Sequence, residues 1–376
     1  MKKFKTIFWV FLLSLIVIPA TALSRHIINI DRNWFFHLGD LEKNEPQCLD
    51  YSQWRKLDVP HDWAIEVGYS EKNRRENAFL PGGIAWYTKE IDWQPEWDGK
   101  KVYIEFDAIY MNSTVWLNGH LLGHRPQGYQ GINYDLTPYL TSRKNIITVR
   151  VDNSLMPSSR WYQGSGIYRH VNLIITDPIH IDRYGVCIRT LKMTPAQATM
   201  AMETEIRNTT EKHTQIMILQ TIKDGKGNIV AQRSSKEKLT CGNKTFRDTL
   251  HVPCPELWSP DSPALYILET VIQEGNSVID KKTTPFGIRT LEFNPQTGFK
   301  LNGTSIKMKG VCLHQNMGAV GSALTEDMWQ RRLTQLKEMG CNAIRTSHYA
   351  YAPEFYKLCD EMGFMVVDEP WDGWFD

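Results

Sequence analysis

About the last seventy residues alternate short apolar runs with amphipathic stretches, and that alternation limits the fold more than any other feature. From Ile306 the pattern reads strand (Ile306–Leu313), helix (Thr325–Met339), strand (Asn342–Ser347), helix (Pro353–Met362) and strand (Phe364–Asp368). Trp329, Leu333, Leu336 and Met339 recur at helical spacing, and so do Phe355, Leu358, Cys359 and Met362. Thr325 is expected to cap the first helix and Pro353 to open the second, with Gly340 and Gly363 closing them. Strand–helix–strand units of this length build a parallel sheet, here the first units of a (β/α)8 barrel. Polar groups gather where the strands end: His314–Gln315, Arg345 with Ser347–His348–Tyr349, and Asp368–Glu369. In such a barrel that face carries the chemistry. A closed barrel takes about 250 residues. Fewer than eighty are present, so the barrel reads as incomplete and part of its site is expected beyond Asp376.

Upstream the chain reads as β throughout. From 23 to 177, Val102, Ile104 and Phe106 alternate, as do Ile147, Val149 and Val151. Leu117-Asn-Gly-His120 is a hairpin turn, Gly82–Gly83 and Pro138 punctuate others, and no helical stretch is expected. Many short strands predict a sandwich. From 178 to 288, Met200, Met202, Thr204 and Ile206 alternate, Asp224–Gly225 marks a turn, and Tyr266–Gln273 is an apolar strand. Some 110 residues of this kind fit an immunoglobulin-like sandwich. Residues 289–376 enter and begin the barrel. At the other end, Lys2, Lys3 and Lys5 precede a short apolar run from Thr6 to Ile18 and then Ala20-Thr-Ala22. This is the pattern of a cleaved export signal over 1–22, with a periplasmic or secreted product. The run is too short for a spanning helix, which needs about 20 residues.

Lys plus Arg number 43 and Asp plus Glu 42. A near-neutral chain with no basic stripe argues against nucleic acid or an anionic membrane as its partner. Cys48, Cys187, Cys241, Cys254, Cys312, Cys341 and Cys359 show no paired Cys-x-x-Cys and no metal framework. A Cys241–Cys254 bridge stays open, and Cys312, Cys341 and Cys359 are expected as small core residues. Thirteen Trp and fifteen Tyr suit stacking on sugar C–H faces, although large rings also fill cores.

His314, Arg345 and His348 are the leading candidate site residues. A strand-end imidazole can donate to and accept from sugar hydroxyls, and a guanidinium can fix a carboxylate. The competing reading is a satisfied polar plug at the barrel rim. Asp368 and Glu369 cannot be a catalytic pair, because adjacent strand residues face opposite ways. Glu369 is instead expected at the rim, hydrogen-bonding sugar or neighbours. Pro60-His-Asp-Trp63 reads as a buried structural network, with no nucleophile placed for a triad.

Asn342-Ala-Ile-Arg-Thr-Ser-His-Tyr349, followed by Ala352-Pro-Glu-Phe-Tyr356, Cys359-Asp-Glu-Met-Gly363 and Val367-Asp-Glu369, resembles a signature of glycoside hydrolase family 2. Arg160-Trp-Tyr-Gln-Gly-Ser-Gly-Ile-Tyr-Arg169, Phe286-Gly-Ile-Arg289, and Leu301-Asn-Gly303 leading to Lys309-Gly-Val-Cys-Leu-His314 match in the family's order. The resemblance covers essentially the whole chain after the export signal. It implies a jelly-roll sugar-binding domain, an immunoglobulin-like domain and a catalytic barrel. It also implies a retaining exo-β-glycosidase acting on terminal β-galactosides or galactose-containing oligosaccharides, with a homo-oligomer left open. The histidines matching 314 and 348 would touch the sugar, and the arginine matching 345 would orient the nucleophilic carboxylate. Trp161, Tyr162 and Gln163 would wall the subsite, or else form an interdomain contact. The two catalytic glutamates match no position here and are expected on later strands, so the chain as given should lack activity. No cofactor is implied: Arg160 stands where some relatives carry a sodium-binding Asp, and Pro-Trp-Asp-Gly-Trp after Glu369 lacks the magnesium-binding Glu-x-His. Ser347-His-Tyr349 favours galactosidase or glucuronidase over mannosidase, and His314-Gln-Asn-Met-Gly318 leans toward galactosidase. β-Glucuronidase is the first alternative. A secreted, non-catalytic sugar-binding protein is the second.

Overall fold

The computed structural model describes residues 25–41, 46, 49–155 and 159–370; the expected export signal, Cys48 and residues 371–376 lie outside them. Ten strands come first: β1 (His26–Asn29), β2 (Trp34–Leu38), β3 (Arg55–Leu57), β4 (Gly83–Asp92), β5 (Lys101–Phe106), β6 (Ser113–Leu117), β7 (His120–Arg125), β8 (Ile132–Asp135), β9 (Lys144–Asn153) and β10 (Val171–Thr176). They form two facing antiparallel sheets, ordered β3-β2-β4-β9-β6-β7 and β1-β10-β5-β8. Val102, Ile104 and Phe106 from β5 and Ile147, Val149 and Val151 from β9 are all buried in the core between them, along with Trp34 and Trp63. Asn118 and Gly119 both take positive φ between β6 and β7, the geometry of a two-residue hairpin turn. One expectation fails here. A short helix, α1 (Trp63–Val67), interrupts the β run, with Asp62 as its N-cap. Five residues are too few to show helical periodicity in sequence.

The next unit packs β11 (Ile179–Thr194), β12 (Gln197–Asn208) and β15 (Gly242–Pro253) in one sheet. Its partner sheet contains β13 (Thr214–Lys223), β14 (Ile229–Leu239), β18 (Tyr266–Glu274) and β19 (Ser277–Phe286) in the order β14-β13-β18-β19. On β12 every second residue from Ala198 to Asn208 is buried, and the buried Thr204 hydroxyl accepts from Gln220 Nε2 at 3.1 Å. A buried polar pair of this kind is tolerated because each group satisfies the other. Cys241 and Cys254 are exposed free thiols, so the bridge left open by sequence does not form. Between these sheets and the barrel lie a two-residue ribbon, β16 (Trp258–Ser259) with β17 (Ser262–Pro263), and the entry sheet β20 (Leu291–Asn294), β21 (Gly298–Leu301) and β22 (Thr304–Ser305).

The last unit is a parallel sheet, β23 (Gly310–Leu313), β24 (Ala343–Thr346) and β25 (Met365–Val367), connected by α2 (Glu326–Glu338) and α3 (Pro353–Met362). Trp329, Leu333, Phe355 and Leu358 bury one stripe of each helix against Ile344 and each other. Four details differ from the sequence reading. The first strand begins at Gly310 rather than Ile306. Thr325 holds the N-cap position without a side-chain capping bond. Met339 lies past the end of α2 and is 74% exposed. Cys312 is exposed on β23, its Sγ 3.7 Å from Arg345 Nη1, while Cys359 is buried. Periodicity assigns a residue to a face, but only another packed element buries that face.

Candidate functional site

The strand ends of the parallel sheet bring His314, Arg345, His348 and Glu369 into one cluster, and the jelly roll supplies its lid. Arg345, on β24, donates from Nε to Glu369 Oε1. His348 Nδ1 stands 2.6 Å from Glu369 Oε2. Both oxygens of one carboxylate are therefore held by side chains from the neighbouring strand end. Burial pushes the Glu369 carboxyl up, but hydrogen bonds from His348 and Arg345 outweigh it and hold it below the usual carboxylate range. Asp368 turns the other way, accepting from Thr346 Oγ1 at 2.8 Å and Tyr356 OH at 2.6 Å. Adjacent residues at a strand end face apart, as the pleat requires.

His314 closes the other side. Its ring centroid lies 5.8 Å from that of His348, and its Nδ1 is 3.4 Å from Tyr349 OH. Burial, and then the neighbouring His348, push its pKa down, so the ring is neutral at pH 7 and can donate from one nitrogen while accepting at the other. Trp161 packs on both imidazoles, with centroid separations of 4.9 Å to His348 and 5.7 Å to His314. Its Nε1 is buried and has no partner among the described residues. The result is a rim with an ionised carboxylate, a guanidinium, two imidazoles and an indole. Such a surface offers hydrogen bonds to hydroxyls and a flat apolar face to C–H bonds.

Tyr162 and Gln163 do not join Trp161 there. Tyr162 donates to Asp62, and Gln163 is buried with its carbonyl accepting from Ser322 Oγ at 2.8 Å. Of the three residues expected to wall the subsite or form an interdomain contact, only Trp161 lines the rim, and the other two make the interdomain contact. In the Pro60–Trp63 block His61 and Asp62 are both buried but do not pair with each other. His61 Nδ1 is 2.8 Å from Tyr87 OH, and Asp62 reaches across to the barrel.

Several supporting residues were not singled out as site candidates. Arg169, fully buried, donates from Nη2 to Gln315 Oε1 at 2.6 Å and to the Ala350 carbonyl at 2.7 Å, tying the jelly roll to both strand-end loops. Tyr129 stacks on Tyr349 with centroids 4.4 Å apart and planes within 3°. Arg332 on α2 donates to the carbonyls of His314 and Asn316 at 3.1 and 2.6 Å, pinning the loop that carries His314. A basic residue three positions after Trp329, beside an apolar stripe, was the only hint of Arg332 in the sequence. Among the described residues no group of three or more His, Cys, Asp or Glu side chains is placed to hold a metal ion.

Three family models match consecutive stretches of the chain. They are the glycosyl hydrolases family 2 sugar binding domain over residues 27–178, glycosyl hydrolases family 2 over 179–289, and the family 2 TIM barrel domain over 295–371. A β-galactosidase of Bacteroides ovatus is 42% identical over 92% of this chain and 41% of its own length. A putative β-glucuronidase of Formosa agariphila is also 42% identical, over 95% of this chain and 34% of its own. The crystal structure of a β-glycosidase from Bacteroides vulgatus superposes with a TM-score of 0.87 at 44% identity, covering 93% of this chain and 45% of that one. The chain belongs to glycoside hydrolase family 2. It spans about two fifths of the length of the curated relatives it matches.

Proposed function

We propose that this chain is part of a retaining exo-β-glycosidase that removes terminal β-D-galactosyl residues, and that the His314–Arg345–His348–Glu369 rim with Trp161 above it binds the sugar. The observation that carries the reading is the rim itself: charged and neutral hydrogen-bonding groups meet an aromatic face at the strand ends where barrels of this class do their chemistry. The 42% identity to a named β-galactosidase supports galactoside as the substrate. Retaining hydrolysis uses two carboxyls roughly 5 Å apart, one as acid/base and one as nucleophile. None of the residues in this chain is proposed for either role; they bind and orient. The test is hydrolysis of nitrophenyl β-galactoside, β-glucuronide and β-mannoside by the full-length gene product. The highest kcat/KM should fall on the galactoside.

β-Glucuronidase is the second reading, favoured by the equal identity to the Formosa relative. A preference for glucuronide in the same assay would replace the first reading with it. Export through cleavage after Ala22 is proposed as well, on the lysine, apolar-run and Ala-Thr-Ala pattern. N-terminal sequencing of exported protein checks it, and a chain beginning at Met1 would rule it out.

A further inference from the structure

Asp62 is 2% exposed, and the sugar chemistry proposed above makes no use of it. Three segments from two domains converge on its carboxylate. Its own helix contributes Ala64 N to Oδ1 at 3.2 Å. The loop that carries Trp161 contributes Tyr162 OH to Oδ2 and Ser165 N to Oδ1, the latter at 2.9 Å. The barrel loop that begins with His314 contributes Ser322 N to Oδ2 at 2.9 Å. A second stitch joins the same two loops, Ser322 Oγ to Gln163 O at 2.8 Å. Gly164 and Gly321 flank the crossing, both at positive φ, and a Cβ on either would collide with Asp62 Oδ2. Each loop therefore presents glycine where the carboxylate sits.

Every one of these donors is uncharged. A sealed carboxylate held only by neutral groups keeps the desolvation cost without an ion pair to offset it, so it is a poor device for stability alone. Its geometric effect is direct. Trp161 is the immediate neighbour of Tyr162, and the indole has no polar tether of its own among the described residues. The position of the ring follows from packing and from whatever holds Tyr162. The opposite ring, His314, sits at the start of the loop that Asp62 grips at Ser322 and Arg332 grips at His314 and Asn316.

We propose that Asp62 is a positioning residue for sugar binding: by locking Tyr162 and Ser322 onto one carboxylate, it sets Trp161 against His314 and His348. The inference rests on the glycosidase reading above. Asn at position 62 keeps the shape but turns one acceptor into a donor facing donors. In the full-length gene product, Asp62→Asn should raise KM about tenfold for whichever nitrophenyl glycoside the wild type hydrolyses fastest. The change in kcat should stay within about threefold, because an aromatic contact is felt alike in ground and transition states. Trp161→Ala should raise KM similarly, and the double variant should be no worse than either single one, as expected for residues acting as a unit. A folded Asp62→Asn enzyme with KM within twofold of wild type would overturn the proposal, and so would a double variant whose losses multiply. If Asp62→Asn does not fold, Tyr162→Phe removes one bond only. It should raise KM two- to fivefold, and an unchanged KM counts against the proposal.

A readout without turnover separates this inference from the functional one. In protein labelled with 5-fluorotryptophan, the Trp161 resonance, identified by its loss in Trp161→Phe, should move in Asp62→Asn or Tyr162→Phe. If the wild type cleaves no glycoside, the glycosidase reading falls, and this resonance alone decides the positioning role. A displaced line supports it, and an unmoved line overturns it.

Discussion

Asp62 and Glu369 are both carboxylates gripped by several donors, and they are built in opposite ways. Asp62 is sealed and accepts from three backbone N–H groups and one phenol. Burial outweighs those donors and pushes its pKa up to about 6. Glu369 sits at an open rim, its side chain 21% exposed, and is held by a guanidinium and an imidazole that keep it ionised. The first arrangement joins backbone segments, so altering it moves the chain. The second joins side chains that face the strand-end opening, so altering it changes what the opening can bind. Counting hydrogen bonds would not separate the two; the source of the donors does.

That contrast breaks most readily at Asp62. Asp62→Ala leaves those backbone and phenol donors buried and unpaired, and should cost about 3–4 kcal/mol of stability, read as the urea midpoint of the full-length protein. The sign with pH is fixed. A folded pKa of about 6 stands above the unfolded value near 3.9, so the folded state holds this proton more tightly. The contribution is full below about pH 4 and is lost as pH rises through 6. The stability of wild type relative to Asp62→Asn should therefore fall between pH 4.5 and 7.5.

Arg345→Ala should do the reverse, with a urea midpoint near wild type and kcat/KM down about a hundredfold on the preferred glycoside. The family resemblance places the nucleophilic glutamate beside Arg345; losing the cation should raise the pKa of that glutamate and move the acid limb of the pH–rate profile to higher pH. Arg345→Lys should recover part of the activity, since it restores charge but not the planar fork. An unmoved acid limb in a folded Arg345→Ala enzyme would make the ion pair purely structural.

His348→Ala should cost less, ten- to thirtyfold in kcat/KM, on the order of 1–2 kcal/mol for one hydrogen bond in a partly closed site. Wild-type kinetics would place the imidazole in the rim's structure only. The smallest effect should come from Glu369→Gln. The His348–Glu369 contact contributes about 1 kcal/mol at a partly exposed position. Because the Glu369 pKa is lowered from 4.5, its contribution is present above that value and lost as pH falls through the folded pKa. Thermal melts of wild type and Glu369→Gln should differ at pH 6 and converge toward pH 3. Divergence at low pH would mean the carboxylate is not held as described.

The barrel segment was readable because its signals are local. Pro353 and Gly363 bound α3 within the span that periodicity predicts, and the strand-end positions of His314, Arg345, His348 and Glu369 follow from where each apolar run stops. The misplacements are equally instructive. Met339 lies in an apolar pattern yet is exposed, since a pattern cannot say whether another element covers its face. Tyr162 and Gln163 belong to the same matched block as Trp161, but the chain turns between them, and only Trp161 reaches the rim. The short helix after Asp62 was invisible because five residues carry no period.

Alternation on β5, β9 and β12, the turn at Asn118–Gly119 and the Pro353–Gly363 bounds of α3 were determined by the sequence itself, because each depends on residues within a few positions of one another. What packs on what was decided by the tertiary structure alone. Asp62 meets Tyr162 across 100 residues and Ser322 across 260, and Arg169 meets Gln315 across 146. No spacing rule spans such separations. Whether a carboxylate is sealed among neutral donors or opened to a rim of charged ones depends on which distant segments close over it, and that is settled only when the domains pack.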